Sequence, residues 1–120
     1  MAIPKIKYQH LTYNIIALGQ VIDIDVETDK LYNTCTGINI LLSDDNAKFS
    51  TLPLSFNSVE LFPENFEVIR LRFREQVPFG FDYHTLNEPA AGSRVRGKYI
   101  DKAGAVYPYT VTISLRLENL

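Results

Sequence analysis

The sequence contains a single cysteine, Cys35, and no tryptophan. One cysteine cannot form a disulfide within the chain, which disfavours a secreted scaffold held together by disulfides. We expect Cys35 to be a small packing residue, while a disulfide between chains stays open. An antibody-type immunoglobulin sandwich is disfavoured as well, because its core is built around a cysteine pair and a tryptophan.

Long apolar runs are also missing, and no segment approaches the roughly 18 apolar residues that a membrane helix needs. The N-terminal segment places Lys5, Lys7, Gln9 and His10 where a secretory signal requires an uninterrupted apolar stretch. We therefore expect neither a membrane span nor a signal peptide.

Neither sign of charge is in large excess, since the sequence has 12 Lys and Arg and 14 Asp and Glu, which give a formal net charge of -2. Such a balance creates no overall field that would recruit a polyanion, so we expect no nucleic-acid partner outside a local patch. The length of 120 residues with 46% hydrophobic residues suits one core. We predict a single domain over residues 1–120.

The strongest pattern that is present has a period of two, which is typical of strands with one buried face. It is clearest near the C-terminus, where Tyr107, Tyr109, Val111, Ile113, Leu115 and Leu117 alternate with mostly polar residues. The predicted strands are Leu11–Leu18, Ile22–Glu27, Ile38–Leu42, Phe49–Phe56, Val59–Phe62, Val68–Arg74, Val95–Ile100 and Tyr107–Glu118. This predicts an all-β fold, a single antiparallel β-sandwich of about eight strands that is jelly-roll-like, with a seven-stranded sandwich or a small barrel as alternatives.

One long connection, Gln76–Ser93, contains the aromatic residues Phe79, Phe81 and Tyr83 among prolines and glycines. Connections of this length are often functional or ordered by a partner, although a plain crossover between two sheets is the simpler interpretation.

Three rows of charged residues follow the two-residue spacing of a strand face. The acidic row is Asp23, Asp25 and Glu27, and the two basic rows are Arg70, Arg72 and Arg74, and Arg94, Arg96 and Lys98. Opposite charges directly across two strands attract, so we expect the acidic row to pair with one of the basic rows. The other basic row would face water, an acidic neighbour or nucleic acid.

No nucleophile, phosphate-binding, dinucleotide-binding or metal-ligand motif occurs in the sequence. His84 has Asp82 nearby, and His10 has no acidic residue at metal-ligand spacing. We expect no catalytic site, no metal and no cofactor. A small enzyme that acts through carboxylates or His84 stays open as an alternative hypothesis.

The chain resembles the small β-sandwich proteins of bacteriophage particles, such as penton, capsid-decorating and tail-associated proteins. The resemblance is one of class, carried by size, strand number, the Tyr107-Pro108-Tyr109 entry to the last strand and the turn Leu61–Phe66. It implies a non-enzymatic virion protein, most specifically a minor capsid or penton protein that self-associates or packs against a larger coat protein. Its location would be the virion, assembled in the host cytoplasm.

Contacts with such partners are expected at two places. The first is the segment before the predicted strands, with Met1, Ile3 and Pro4, and the second is the aromatic loop, with Phe79, Phe81 and Tyr83. A ligand-binding β-sandwich, such as a carbohydrate-binding or adhesive module that stacks sugars on the same aromatic residues, is the second hypothesis.

Overall fold

The computed structural model of the chain describes residues 5–47, 49–71, 83–102 and 105–120. Within these residues, eight strands form two antiparallel sheets of four. The strands are β1 (Ile6–Ile15), β2 (Val21–Glu27), β3 (Thr34–Leu42), β4 (Leu54–Phe56), β5 (Val59–Phe62), β6 (His84–Pro89), β7 (Arg94–Ile100) and β8 (Tyr109–Glu118). Two short 3-10 helices cover Asp45–Ala47 and Val68–Arg70. Over the same residues, no helix is long and apolar enough to cross a membrane.

The strand order is that of a jelly roll. The first sheet has the order β1-β8-β3-β6, and the second sheet has the order β2-β7-β4-β5. Neighbouring strands therefore include the pairs β1 and β8, β2 and β7, β3 and β6, and β4 and β5, which result when one long antiparallel hairpin is wound into two sheets. The predicted all-β, jelly-roll-like sandwich is confirmed.

The core lies between the two sheets and is built mainly by alternation along the central strands. In β8, Tyr109, Val111, Ile113, Leu115 and Leu117 are all buried, and the residues between them lie on the outer face. Burying one Leu or Ile side chain completely stabilises a fold by about 1.5–3 kcal/mol, so this strand alone anchors much of the first sheet.

The connections gather at two ends of the sandwich. At one end, Ser93 joins three turns: its backbone N–H donates to Thr28 Oγ1 at 3.0 Å, its hydroxyl donates to Pro89 O at 2.6 Å, and Asn57 Nδ2 donates to its Oγ at 3.0 Å. We call this the Ser93 end. The connections that follow β1, β3 and β7 meet at the opposite end around the buried Asp101, which we call the Asp101 end.

The predicted strand Val68–Arg74 is wrong in its described part. Val68–Arg70 is a 3-10 helix, and Val68 and Leu71 are both buried, so the period here is three rather than two. Leu71 O accepts the N–H of Ile40 at 2.8 Å, which fixes this turn against β3. Arg70 is exposed and pairs with Glu67 at 3.7 Å, whereas Arg72 and Arg74 lie outside the described residues.

The predicted long connection Gln76–Ser93 contains a strand, β6, which the sequence pattern did not reveal. Leu86 is the one buried residue of this strand, so its alternation is weak. The strand ends at Pro89, which lacks a backbone N–H and is tolerated because β6 lies at the edge of its sheet.

Candidate interaction surfaces

The acidic row of β2 pairs with the basic row of β7 on the outer face of the second sheet. This confirms the prediction that the acidic row pairs with one of the two basic rows. The register of β2 and β7 places Asp23 across from Lys98, Asp25 across from Arg96, and Glu27 across from Arg94. Arg94 contacts Asp25 at 3.0 Å and Glu27 at 3.6 Å, and Arg96 contacts Asp25 at 3.5 Å. This face is therefore electrically balanced and presents no basic stripe to a polyanion.

A groove runs over the same face, between β7 and the β4–β5 hairpin. Its volume is about 440 Å³, and the charged residues in its lining are Arg96, Lys98, Glu60 and Glu64, with the hydroxyls of Ser55 and Ser58. Both signs of charge and two hydroxyls line one concave surface. The groove therefore offers hydrogen-bonding groups and charges of both signs on one open surface.

A buried carboxylate organises the Asp101 end. Asp101 Oδ2 accepts hydrogen bonds from Gly19 N at 2.9 Å and from the Tyr107 hydroxyl at 2.6 Å, and its Oδ1 accepts one from the Tyr109 hydroxyl. The hydroxyls of Tyr99 and Tyr109 lie 3.0 Å apart. Each oxygen of the carboxylate thus has a partner, so the cluster holds the turn after β1 against the start of β8.

The tyrosines of this cluster are held in their protonated form. The hydrogen bond to the Asp101 carboxylate raises the pKa of Tyr107 to about 12. Burial, followed by the hydrogen bond to Asp101, raises the pKa of Tyr109, and burial raises that of Tyr99. Sequence reasoning missed this cluster, although an aspartate at the end of an alternating strand with two tyrosines shortly after it was visible.

A serine and a histidine form a pair on the outer face of the first sheet. The register places His10 across from Ser114, and His10 Nδ1 lies 2.7 Å from Ser114 Oγ. Such a distance is that of a nucleophile and its base, but Ser114 is only 5% exposed and a substrate has little access to its hydroxyl. The pair therefore serves as a cross-strand hydrogen bond.

Most of the predicted partner contacts lie outside the described residues, namely Met1, Ile3, Pro4, Phe79 and Phe81. Tyr83 is described and is half-buried. Its ring centroid lies 5.5 Å from that of Tyr8, and the guanidinium of Arg116 lies 5.5 Å from it. Tyr83 therefore packs over the outer face of the first sheet instead of standing free as a stacking platform.

The remaining predicted residues are dispersed. His84 packs its ring edge against Phe62, with centroids 5.7 Å apart, and Asp82 lies outside the described residues. Among the residues that are described, no group of three or more His, Cys, Asp or Glu side chains is placed to hold a metal ion. Burial raises the pKa of the Cys35 thiol to about 11, consistent with the predicted packing role.

Three strongly exposed apolar side chains lie at the Asp101 end. Ile16 is 69% exposed, Leu18 is 67% exposed and Val106 is 75% exposed. Hydrogen bonds hold these turns, since Gly19 N donates to Asp101 and Val106 N donates to Asp44 Oδ2 at 2.7 Å. Apolar residues grouped on fixed turns are typical of a surface that meets another protein. We call Ile16, Leu18 and Val106 the apolar end surface.

No known protein family matches the chain, no curated protein matches it, and no solved structure matches its fold closely enough to be counted as similar.

Proposed function

We propose that this chain is a non-enzymatic structural protein of a virus particle. Most specifically, it would be a minor capsid or penton protein of a bacteriophage that self-associates or packs against the major coat protein. The observation that carries this proposal is the strand order, because the eight-stranded jelly roll is a recurrent fold of viral capsid domains.

The surface of the domain supports a role in assembly. A jelly roll makes contacts through its end loops and its edge strands, and it needs no reactive group to do so. Here the apolar end surface places Ile16, Leu18 and Val106 on turns that hydrogen bonds hold in place. Burying these side chains against a neighbouring subunit would remove apolar area from water at little cost in conformational entropy.

The test has two arms. An antibody against the purified chain should label particles of the virus whose genome encodes it, and the chain should copurify with the coat protein. The double variant Leu18→Lys and Val106→Lys should lower incorporation into particles. Val59→Lys is the matched control, because Val59 is 64% exposed but lies in the β4–β5 hairpin, away from this end. Particles without the chain, or equal incorporation of both variants, would contradict the proposal.

A second candidate function is favoured by the groove on the outer face of the second sheet. Jelly rolls also form lectin domains, and a groove of about 440 Å³ with hydroxyls and both signs of charge suits a polar ligand such as a saccharide. A glycan array decides this case: binding that Lys98→Ala and Glu60→Ala both weaken would favour the lectin function, and silence would count against it.

A further inference from the structure

The four outer edges of the two sheets differ in their protection against pairing with another strand. An edge strand offers unpaired backbone groups, which proteins usually protect by shortness, charge or proline. The edge strands are β1 and β6 in the first sheet and β2 and β5 in the second. Of these, β5 has 4 residues, and β6 has 6 residues and ends at Pro89. Both are too short to form a long ladder with another chain.

Charge protects the edge strand β2. Its outward row consists of Asp23, Asp25 and Glu27. In an antiparallel pair of β2 with a copy of itself, centring on Asp25 would place Asp23 across from Glu27 and Asp25 across from itself. Like charges directly opposite each other destabilise a sheet, and although Arg94 and Arg96 contact Asp25 and Glu27, this row makes β2 the less suitable edge for a second copy.

The edge strand β1 has none of these protections along most of its length. It covers 10 residues without proline, glycine or an acidic residue. Its one lysine, Lys7, is held in an ion pair with Asp29, which raises the pKa of Lys7 and lowers that of Asp29. Antiparallel self-pairing centred on Gln9 or His10 places Lys7 opposite Leu11 or Tyr13, so this strand is compatible with a second copy.

The side chain of Gln20 shows that the backbone edge of β1, on the side away from β8, accepts a peptide-like group. Ile16 N donates to Gln20 Oε1 at 2.7 Å, and Gln20 Nε2 donates to Asn14 O at 3.4 Å. The amide therefore occupies the position of a neighbouring strand at the C-terminal end of β1. Alternate residues of a strand direct their backbone groups to the same side, so the N–H and C=O groups of His10 and Thr12 also point away from β8. Both residues are exposed, and no strand in the described part of the chain pairs with this side.

We propose that β1 pairs antiparallel with β1 of a second copy, which joins the first sheets of two subunits into one continuous sheet. The inference rests on the self-association that is part of the proposed function. An antiparallel pair of identical strands has a two-fold axis, the symmetry of an isologous dimer. Gln20 limits the contact to the part of β1 that precedes Asn14.

Spin-label distances between subunits test the geometry. Thr12 and Thr112 are register partners on β1 and β8, so they share one position along the strands and differ by one strand spacing, about 4.8 Å. In the proposed dimer, labels at Thr12→Cys must lie closer to each other than labels at Thr112→Cys. Cys35 is buried, so we expect it to take up no label in the folded protein. Equal distances, or shorter distances at Thr112→Cys, would overturn edge pairing.

The solution mass of the full chain provides the second readout. Light scattering over a wide concentration range should show a dimer, Thr12→Pro should abolish it by removing the outward N–H, and Thr12→Ala should keep it. Circular dichroism confirms that each variant is folded. A monomer at every concentration would overturn the inference, whereas incorporation into particles is measured separately and tests the proposed function. An oligomer with the wrong label distances would leave self-association intact and reject β1 as its site.

Discussion

Replacing Asp101 should have the largest effect of any single polar substitution at the Asp101 end. Asp101 is 2% exposed and accepts hydrogen bonds from Gly19 N, Tyr107 and Tyr109. Asp101→Ala removes the acceptor for all of them at once. The turn after β1 and the start of β8 would then lose the group that connects them.

The magnitude follows from how each donor can be satisfied after the substitution. A hydrogen bond to a charged group contributes about 1.5–3 kcal/mol to stability, and a buried donor without a partner costs about 1–3 kcal/mol. Tyr107 is half-exposed and can turn to water, whereas Tyr109 is buried and keeps the hydroxyl of Tyr99, at 3.0 Å, and the side chain of Ser50 as hydrogen-bond partners. Because the donors left behind are neutral and Tyr107 can reach water, we expect Asp101→Ala to lower the free energy of unfolding by about 2–4 kcal/mol. Asp101→Asn, which keeps one acceptor oxygen, should cost about half as much.

Denaturant unfolding followed by circular dichroism measures both losses. Asp23→Ala is the control, because Asp23 is an exposed carboxylate on the charged face and its removal should change stability by less than about 0.5 kcal/mol. A loss below about 1 kcal/mol for Asp101→Ala, or equal losses for Asp101→Ala and Asp23→Ala, would refute the argument that the carboxylate organises this end.

The same cluster predicts a loss of stability at high pH. The pKa of Tyr107 is raised to about 12 and that of Tyr109 is raised as well, so above pH 10 the folded state binds more protons than the unfolded state. The free energy of unfolding must then fall as the pH rises from about 10 to about 12, and the stabilisation is complete below about pH 10. Unfolding curves and tyrosinate absorbance over this range measure the effect, and Tyr107→Phe should make the pH dependence shallower.

Three further predictions concern packing, surface charge and the thiol. A Cβ at Gly97 would lie 2.2 Å from Pro53 O, so Gly97→Ala should cost at least about 1–3 kcal/mol in a melting experiment, and an unchanged melting temperature would contradict the close approach. Arg94→Ala breaks the pair with Asp25, but because these side chains are 46% and 52% exposed the cost should stay below about 1 kcal/mol and shrink with added salt. Cys35 is buried with its pKa raised to about 11, so a thiol reagent should label it only when the protein unfolds, and fast labelling of the folded protein would show that the site is open.

Local alternation predicted most of this fold, because a strand with one buried face shows its geometry directly in its residues. The strand β8 is the clearest case, with every inward residue visible as apolar in the sequence. The charged rows of β2 and β7 were also visible, since their spacing and opposite signs indicate a cross-strand pair. The strand β6 could not be predicted because Leu86 is its one buried residue. The alternating arginines after Val68 wrongly indicated a strand where Val68–Arg70 forms a 3-10 helix.

By itself, the sequence determined the fold class, the inward face of the central strands and the charge pattern of one sheet, all of which depend on neighbours along the chain. Only the tertiary structure decided the jelly-roll order, the buried carboxylate at Asp101, the pair of His10 with Ser114 and the edge position of β1 in its sheet. Each of these depends on residues that are far apart in the sequence, as His10 and Ser114 are, and no local pattern records which strands will meet. The physical reason is that burial acts on each strand separately, whereas strand order is set by how all of them fit into two sheets.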